Sequence, residues 1–355
     1  MTMPEGEKQK RKKLSKPWII AISVVLIVAA VIWLVYFFWF RNVYNEPLDE
    51  PLDIQTSEPL DLEEGEEEKA KKEKVYSGPP LCGDVNGLTI LVVGTDYREG
   101  DYEYGLADAI RIVDIDFTEP QVNVVALPRA LLIEEPAPRL DVDAPILINQ
   151  AYFFGTSGMG HYSGSGYGAG AMAETIQTNF DVTVDNYLVM DFNAFKRFIS
   201  LIAPVKINLP ESIYINESDN PYFPAGVQYL TAEQALTLAR ARAYTSDNVR
   251  IDNQSILLKA IFERLKEPEV LLQLSSLIEG VREMVLTDLS LKQIQSFLCL
   301  IEKIDSNQVQ FFNPGDDLIE NDREFIPSMD KEMEIFRWDQ DLVDWLHDSL
   351  WAVRE

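Results

Sequence analysis

The chain has 355 residues, 46% of them hydrophobic and 10% aromatic, which is enough apolar material for a sizeable core. Its formal net charge of −27 argues against a nucleic-acid partner and against docking on an anionic lipid surface, because both need a basic face. Any phosphate site must then be a local exception made of converging arginines and a bound cation.

In chain order, Lys8, Lys10, Arg11, Lys12, Lys13 and Lys16 precede Trp18 to Phe40, a run of 23 residues without a charge. As a helix the run would extend about 34 Å at ~1.5 Å per residue, enough to span a bilayer. The positive-inside rule assigns residues 1–17 to the cytoplasm as a basic tail and everything beyond Arg41 to the outside. The run closes on Tyr36-Phe37-Phe38-Trp39-Phe40 and not on small residues, so an uncleaved anchor at residues 18–40 is expected, not a signal peptide. Residues 41–84 are rich in Pro, Glu and Asp, with Glu63 to Lys74 nearly all charged, and read as a disordered acidic linker with a reach of ~35 Å or more.

The folded part is expected over residues 85–266. Leu88 to Val93 is a continuous apolar run ended by Gly94, the pattern of a strand buried on both faces. Ile110–Phe117 and Val122–Leu127 follow as strands around the turn 118–121. Ala169–Asn179 and Phe192–Ile202 read as helices, Val205–Leu209 as a strand, and Thr231 with Gln234 as a capping box before a further helix. Strands and helices interleave, so the fold class is α/β, a mixed central sheet flanked by helices and preceded by one transmembrane helix. Residues 267–355 are acidic and mostly helical in pattern, and read as an extension without an assigned function that either completes the core or forms a small appended subdomain. Cys82 and Cys299 read first as buried free thiols, since Cys299 lies in the apolar stretch Phe297-Leu298-Cys299-Leu300; a disulfide between them is the alternative.

Asp96 follows the first strand in Gly94-Thr95-Asp96, and Asp108 opens the next. If the two strands are neighbours, both carboxylates meet at one sheet end, a donor set that suits Mg²⁺. Taken alone, aspartates at strand ends are more often turn or cap residues. Asp247, Arg250 and Gln254, spaced i, i+3, i+7, share one helix face. Arg240 and Arg242 converge only where a helix ends near Ala239 and leaves Arg-Ala-Arg extended. The stretch Gly155 to Gly170 holds seven glycines and His161, yet lacks the Gly-Lys-Ser/Thr ending of a phosphate loop, and reads as a mobile lid. His161 and His347 give no zinc spacing, and no Gly-x-Ser-x-Gly elbow supports a serine hydrolase.

From Leu88 to about Leu265 these motifs together resemble the LytR-CpsA-Psr family. The family's Gly-x-Asp is Gly94-Thr95-Asp96, with Asp108 as its second aspartate. Its Ser-Ile-Pro-Arg-Asp segment is Ala126-Leu127-Pro128-Arg129-Ala130. Its Asn-x-Ala-Tyr-x-x-Gly signature runs from Asn149 through Ala151 and Tyr152 to Gly155, and Tyr187 to Phe192 follows. The Arg-x-Arg pair is Arg240 and Arg242, and the last block is Asp247-x-x-Arg250-x-x-x-Gln254. The resemblance implies a polyprenyl chain in an apolar tunnel with its pyrophosphate at the mouth, and transfer of a phosphorylated glycopolymer to a peptidoglycan hydroxyl.

By residue-wise carry-over, Asp96 and Asp108 would hold Mg²⁺, while Arg129, Arg240, Arg242 and Arg250 would grip the pyrophosphate. Asp247 would orient or deprotonate the acceptor, supported by Gln254. The chain departs from the family at Leu106, Ala130 and Asn253, where arginine, aspartate and arginine are usual, and has Ala203-Pro204-Val205 for a Gly-Gly-Val turn; Arg98 and Arg111 are the candidate replacements for the lost charge. Two competing functions remain: a non-catalytic polyprenyl-phosphate binder, and a pyrophosphatase that uses water in place of the polymer acceptor.

Overall fold

The computed structural model describes residues 47–48, 78–97, 105–215, 220–241, 247–281 and 284–351. The expected tail, anchor and most of the linker lie outside the described residues, as do Arg98 and Arg242. Among the described residues no helix is long and apolar enough to cross a membrane.

In chain order the elements are β1 (Gly87–Thr95), β2 (Ala107–Asp116), β3 (Gln121–Leu127), β4 (Leu132–Ile133), β5 (Ile146–Leu147), α1 (Ile148–Gly155) and α2 (Tyr167–Phe180). Then come β6 (Asn186–Met190), α3 (Phe192–Ile202), β7 (Val205–Leu209), β8 (Gly226–Leu230), α4 (Ala232–Arg240), α5 (Asp247–Leu265), α6 (Pro268–Leu271) and α7 (Leu274–Val281). The chain closes with β9 (Val285–Thr287), α8 (Leu291–Lys303), β10 (Val309–Phe312), β11 (Glu320–Ile326), β12 (Lys331–Arg337) and α9 (Gln340–Leu350). The central sheet has six strands in the order β10-β3-β2-β1-β6-β9. It is mixed: β1 pairs antiparallel with β2 and parallel with β6, and β10 pairs parallel with β3.

The two faces of this sheet follow from the two-residue period of its strands. Leu91, Val93, Ile110, Ile112, Val125, Leu127, Tyr187 and Val189 point into one core with α1, α2 and α9. On that side α1 and α2 approach closely at glycines: a Cβ on Gly155 would lie 2.4 Å from the Ala171 Cβ, and one on Gly168 would lie 2.6 Å from the Tyr152 carbonyl oxygen. Gly155, the last residue of the Asn149-to-Gly155 signature, therefore serves helix packing here. The opposite face carries Leu88, Ile90, Ile115 and Phe117 under Leu300 of α8 and Ile304 just past its end, at one end of the face. At its other end that face opens onto α3, α4 and α5.

Residues 267–351, read from sequence as mostly helical, hold α6 to α9 and also strands that the sequence reading did not include. They supply both edge strands of the central sheet, β9 and β10, and the β11–β12 hairpin. Short amphipathic strands flanked by charges carry too weak a period to stand out from helix in this acidic stretch. The thiol reading is corrected as well: Cys82 and Cys299 form a disulfide, tying the segment before β1 to α8. An apolar setting suits a disulfide as readily as a thiol, and sequence does not show that the Cα atoms come within 5.8 Å. The glycine-rich stretch, read as a mobile lid, pairs with a neighbouring segment at residues 161–163. It is stitched to residues 139–141 by Asp141 N–H to the His161 oxygen and Ser163 N–H to the Arg139 oxygen, with a bridge between Leu140 and Tyr162.

Candidate active site

A cavity of about 440 Å³ lies between the sheet and α3, α4 and α5. Its sheet wall is Val92, Gly94, Ala109, Leu188 and Met190, and Phe192, Phe195 and Phe198 of α3 close one side. From α5, Arg250, Gln254, Leu257, Leu258 and Ile261 line it, a stripe at helical spacing that turns from polar to apolar over about 16 Å at ~1.5 Å per residue. The cavity thus has one polar end and a long apolar wall.

Asp108 stands at the polar end, and the strand register explains why. Gly94 pairs with Ala109 but Thr95 pairs with Ala107, so Asp108 is the extra residue of a bulge. Bulges of this kind redirect a side chain that strict alternation would place elsewhere. The Asp108 carboxylate accepts a hydrogen bond from Arg129, which sits just beyond β3, and lies 4.0 Å from Nη1 of Arg250. Arg250 is almost wholly buried, so its charge stands in a medium of low dielectric where an ionic partner counts for more.

Asp96 follows the end of β1 and lies across from Leu106, two residues before Asp108. Its Oδ1 accepts Leu106 N–H at 2.7 Å, and its own N–H donates to the Leu106 oxygen at 3.1 Å, which closes the two strand ends onto each other. The two carboxylates are therefore brought to one sheet end. Oxygen donors of this type, few in number, suit a hard cation that keeps waters and takes phosphate oxygens as further ligands. Among the described residues no set of three or more His, Cys, Asp or Glu could hold an ion by itself.

Helix α4 ends at Arg240, one residue beyond the condition set above, and Ala241 is extended with φ −63° and ψ 125°. The Arg240 guanidinium stacks over the Phe192 ring at 4.8 Å, which holds it at the cavity rim. Asp247 begins α5. Gln254, expected beside the acceptor hydroxyl, donates to the Ala239 carbonyl at 3.1 Å and accepts from Nη2 of Arg111 at 3.2 Å. It thus fastens the end of α4 to β2. Asn253 donates to the Ala241 oxygen at 3.5 Å, so the residue standing where the family usually has arginine helps hold the same corner.

Asp191 and Tyr152 were given no role from sequence, and of the two Asp191 lines the cavity while Tyr152 belongs to the filled core. Asp191 caps α3 through Ala194 N–H at 2.7 Å and lines the cavity; its position just after a strand, like that of Asp96, was the available signal. Tyr152 is buried on α1, and burial followed by the Asp191 charge pushes its hydroxyl well above the ordinary range. Arg111, raised only as a candidate replacement, lines the cavity and is almost wholly buried.

Known proteins share this fold. The TagV polyisoprenyl-teichoic acid–peptidoglycan teichoic acid transferase of Bacillus subtilis (strain 168) is 24% identical over 221 residues, covering 59% of this chain and 53% of that protein. The chain thus spans about half the length of this curated relative. The crystal structure of B. subtilis TagV superposes with a TM-score of 0.57 at 18% identity, over 76% of this chain and 99% of the other. A structure of TagT bound to LI-WTA gives 0.55 at 18% identity, over 75% and 90%. The LytR_cpsA_psr family model matches residues 55–334, and with that match over most of its length the chain belongs to the LytR_cpsA_psr family.

Proposed function

We propose that this protein transfers a phosphorylated glycopolymer from a polyprenyl-pyrophosphate carrier to a peptidoglycan hydroxyl on the outer side of the cytoplasmic membrane. The observation that carries the reading is the one-ended polarity of the cavity: Asp108, Arg240, Arg250 and Gln254 gather at one end and Phe195, Leu257 and Ile261 extend the other. A lipid phosphate has the same polarity. TagV is named a teichoic acid transferase and TagT has been solved with LI-WTA, which supports the same class of substrate.

In the proposed reaction the acceptor hydroxyl oxygen bonds to the glycan-bearing phosphorus. The bridging P–O bond breaks, and polyprenyl monophosphate leaves with the bond's electron pair. Asp247 takes the hydroxyl proton, and Arg242 joins the grip on the phosphates. Arg129, Arg240 and Arg250 stabilise the charge that gathers on the leaving phosphate, through charge-assisted hydrogen bonds that strengthen as the bond breaks. Asp96 and Asp108 would hold Mg²⁺, which when bound supplies further charge neutralisation. The apolar wall keeps the prenyl chain out of water and fixes the headgroup beside the acceptor.

The test incubates the full-length chain with Mg²⁺ and a polyprenyl-pyrophosphate glycan, with and without peptidoglycan. Wall-linked glycan together with polyprenyl monophosphate is expected. Lipid binding without release of monophosphate would replace the reading with a binding protein, and release without a wall-linked product would replace it with a pyrophosphatase. For orientation, protease added to intact cells or spheroplasts should remove residues beyond 41, given the basic tail and the charge-free run. Protection from outside with digestion only from the cytoplasmic side would overturn that placement.

A further inference from the structure

Arg111 stands in β2 paired with Val92, on a strand whose neighbours are apolar. It is 3% exposed and lines the cavity. All three of its hydrogen bonds come from Nη2, to the Ile251 carbonyl oxygen at 3.1 Å, Gln254 Oε1 at 3.2 Å and Ser255 Oγ at 3.4 Å. Every one of these acceptors is neutral. The buried Nε has no hydrogen-bond partner, and among the described residues no carboxylate pairs with this guanidinium.

Such an arrangement is costly, since a buried ion needs a counter-charge to offset its lost hydration. Neutral acceptors supply part of that offset. Arg250 works the other way: burial first, and then the Arg250 charge, hold the Arg111 pKa down at about 10, with Asp252 opposing them. At neutral pH the side chain is still charged. The polar end therefore carries a buried guanidinium that, among the described residues, no carboxylate contacts directly.

We infer that Arg111 is a substrate-binding residue, a buried guanidinium that takes a phosphate oxygen of a lipid diphosphate seated in the cavity. This rests on the proposed function and adds to it a residue of this chain. It also accounts for Gln254, whose Oε1 aims the Arg111 guanidinium while its amide nitrogen holds α4. A purely structural role makes the opposite forecast: an arginine kept for packing should destabilise the ligand-free protein when lost. An arginine kept for an anion should leave the ligand-free protein as stable or more stable when replaced by an apolar residue of similar length.

The experiment measures binding of farnesyl diphosphate, farnesyl monophosphate, farnesol and inorganic pyrophosphate to the full-length chain, comparing wild type with Arg111→Met and Arg111→Lys, and records ligand-free thermal stability. Losing one charge-assisted contact in a desolvated site should weaken diphosphate binding by about 10- to 100-fold in Arg111→Met. Farnesol binding should be unchanged, Arg111→Lys should fall between, and ligand-free Tm should equal or exceed wild type. Diphosphate affinity within twofold of wild type in a folded Arg111→Met would overturn the inference, as would a lowered ligand-free Tm in both variants. Equal wild-type affinity for farnesyl diphosphate and inorganic pyrophosphate would overturn the lipid part of it. Wild type that binds none of the prenyl ligands would instead remove the proposed function itself.

Discussion

The two faces of the central sheet use the same strands for opposite ends. On one face Leu91, Val93, Ile112 and Val189 meet α1, α2 and α9 in a filled core, with Ala171 and Phe180 fully buried. On the other, Val92, Arg111, Leu188 and Met190 face a cavity. Adjacent residues of one strand thus serve stability and ligand space alternately. On the functional face the buried guanidinium of Arg111 stands with that of Arg250 on α5, where the neighbouring positions Ile110 and Ile112 turn aliphatic side chains to the structural face. A cavity of this kind leaves lining atoms without partners and forfeits dispersion energy, a loss that the filled face offsets.

The largest expected effect is at the polar end. Asp96→Ala and Asp108→Ala should each reduce transfer by about 100- to 1000-fold or abolish it, and Arg250→Met should lower it by about 30- to 1000-fold, without unfolding the chain. Transfer assays beside circular dichroism decide this. Near-wild-type rates in either aspartate variant would remove the metal assignment and leave the carboxylates as strand-end linkers.

A sharper form of the comparison uses two adjacent residues. Leu188 faces the cavity, and Val189 is buried in the filled core. Leu188→Trp should keep wild-type stability while cutting prenyl-ligand binding by at least about tenfold, because the ring occupies ligand space. Val189→Trp should lower stability by about 1–3 kcal/mol through overpacking, with binding kept below its melting temperature. Equal loss of stability in both would mean that the cavity collapses around side chains and is not a preformed ligand site.

The disulfide belongs to the half of the functional face that is filled by α8. Replacing Cys82 and Cys299 together by serine releases a crosslink spanning 217 residues, and should cost about 2–4 kcal/mol of stability in thermal unfolding. Transfer at moderate temperature should be unaffected, because neither cysteine lines the cavity. A loss of transfer in a folded double variant would show that α8 positions the site.

How much of this was legible in the sequence depends on the range of the interaction that decided it. Leu88 to Val93 reads as a doubly buried strand because its apolar run is local, and β1 holds both cores as expected. The capping box at Thr231 and Gln234 is likewise local and present. The joining of Asp96 to the start of β2 needed a strand pairing that spacing only made conditional. Nothing local marks Asp108 as a bulge residue, since the bulge exists only in the register of two strands. Nothing local gives Gln254 its two partners, which lie on α4 and β2. Edge strands β9 and β10 were missed for the same reason: three or four residues acquire strand character from the sheet they join.

The smallest effect separates the two faces from the carboxylates at the far end of the sheet. Asp185 accepts Thr89 N–H at 2.7 Å and Asp288 accepts Tyr187 N–H at 2.9 Å, so each ties a connection to a strand. Burial pushes both carboxyls above their ordinary value, outweighing those hydrogen bonds. A carboxyl whose folded pKa is raised binds its proton more readily in the native state. Its cost is therefore present at neutral pH and is relieved as pH falls through the folded value toward the ordinary aspartate value near ~4. Repulsion within a chain of net charge −27 changes in the same direction. Asp322 and Glu269, held low by Arg337 and Arg264, act oppositely, but they are exposed, screened, and titrate below the ordinary range. Thermal stability should accordingly rise modestly as pH falls from neutral through the raised folded values of these carboxyls, and fall only below the ordinary aspartate value near ~4. Asp185→Asn retains an acceptor for Thr89 N–H and removes the charge, so its stability should vary less with pH than wild type while matching it at the acid end. A steeper slope in that variant would mean that Asp185 stabilises the fold as a carboxylate.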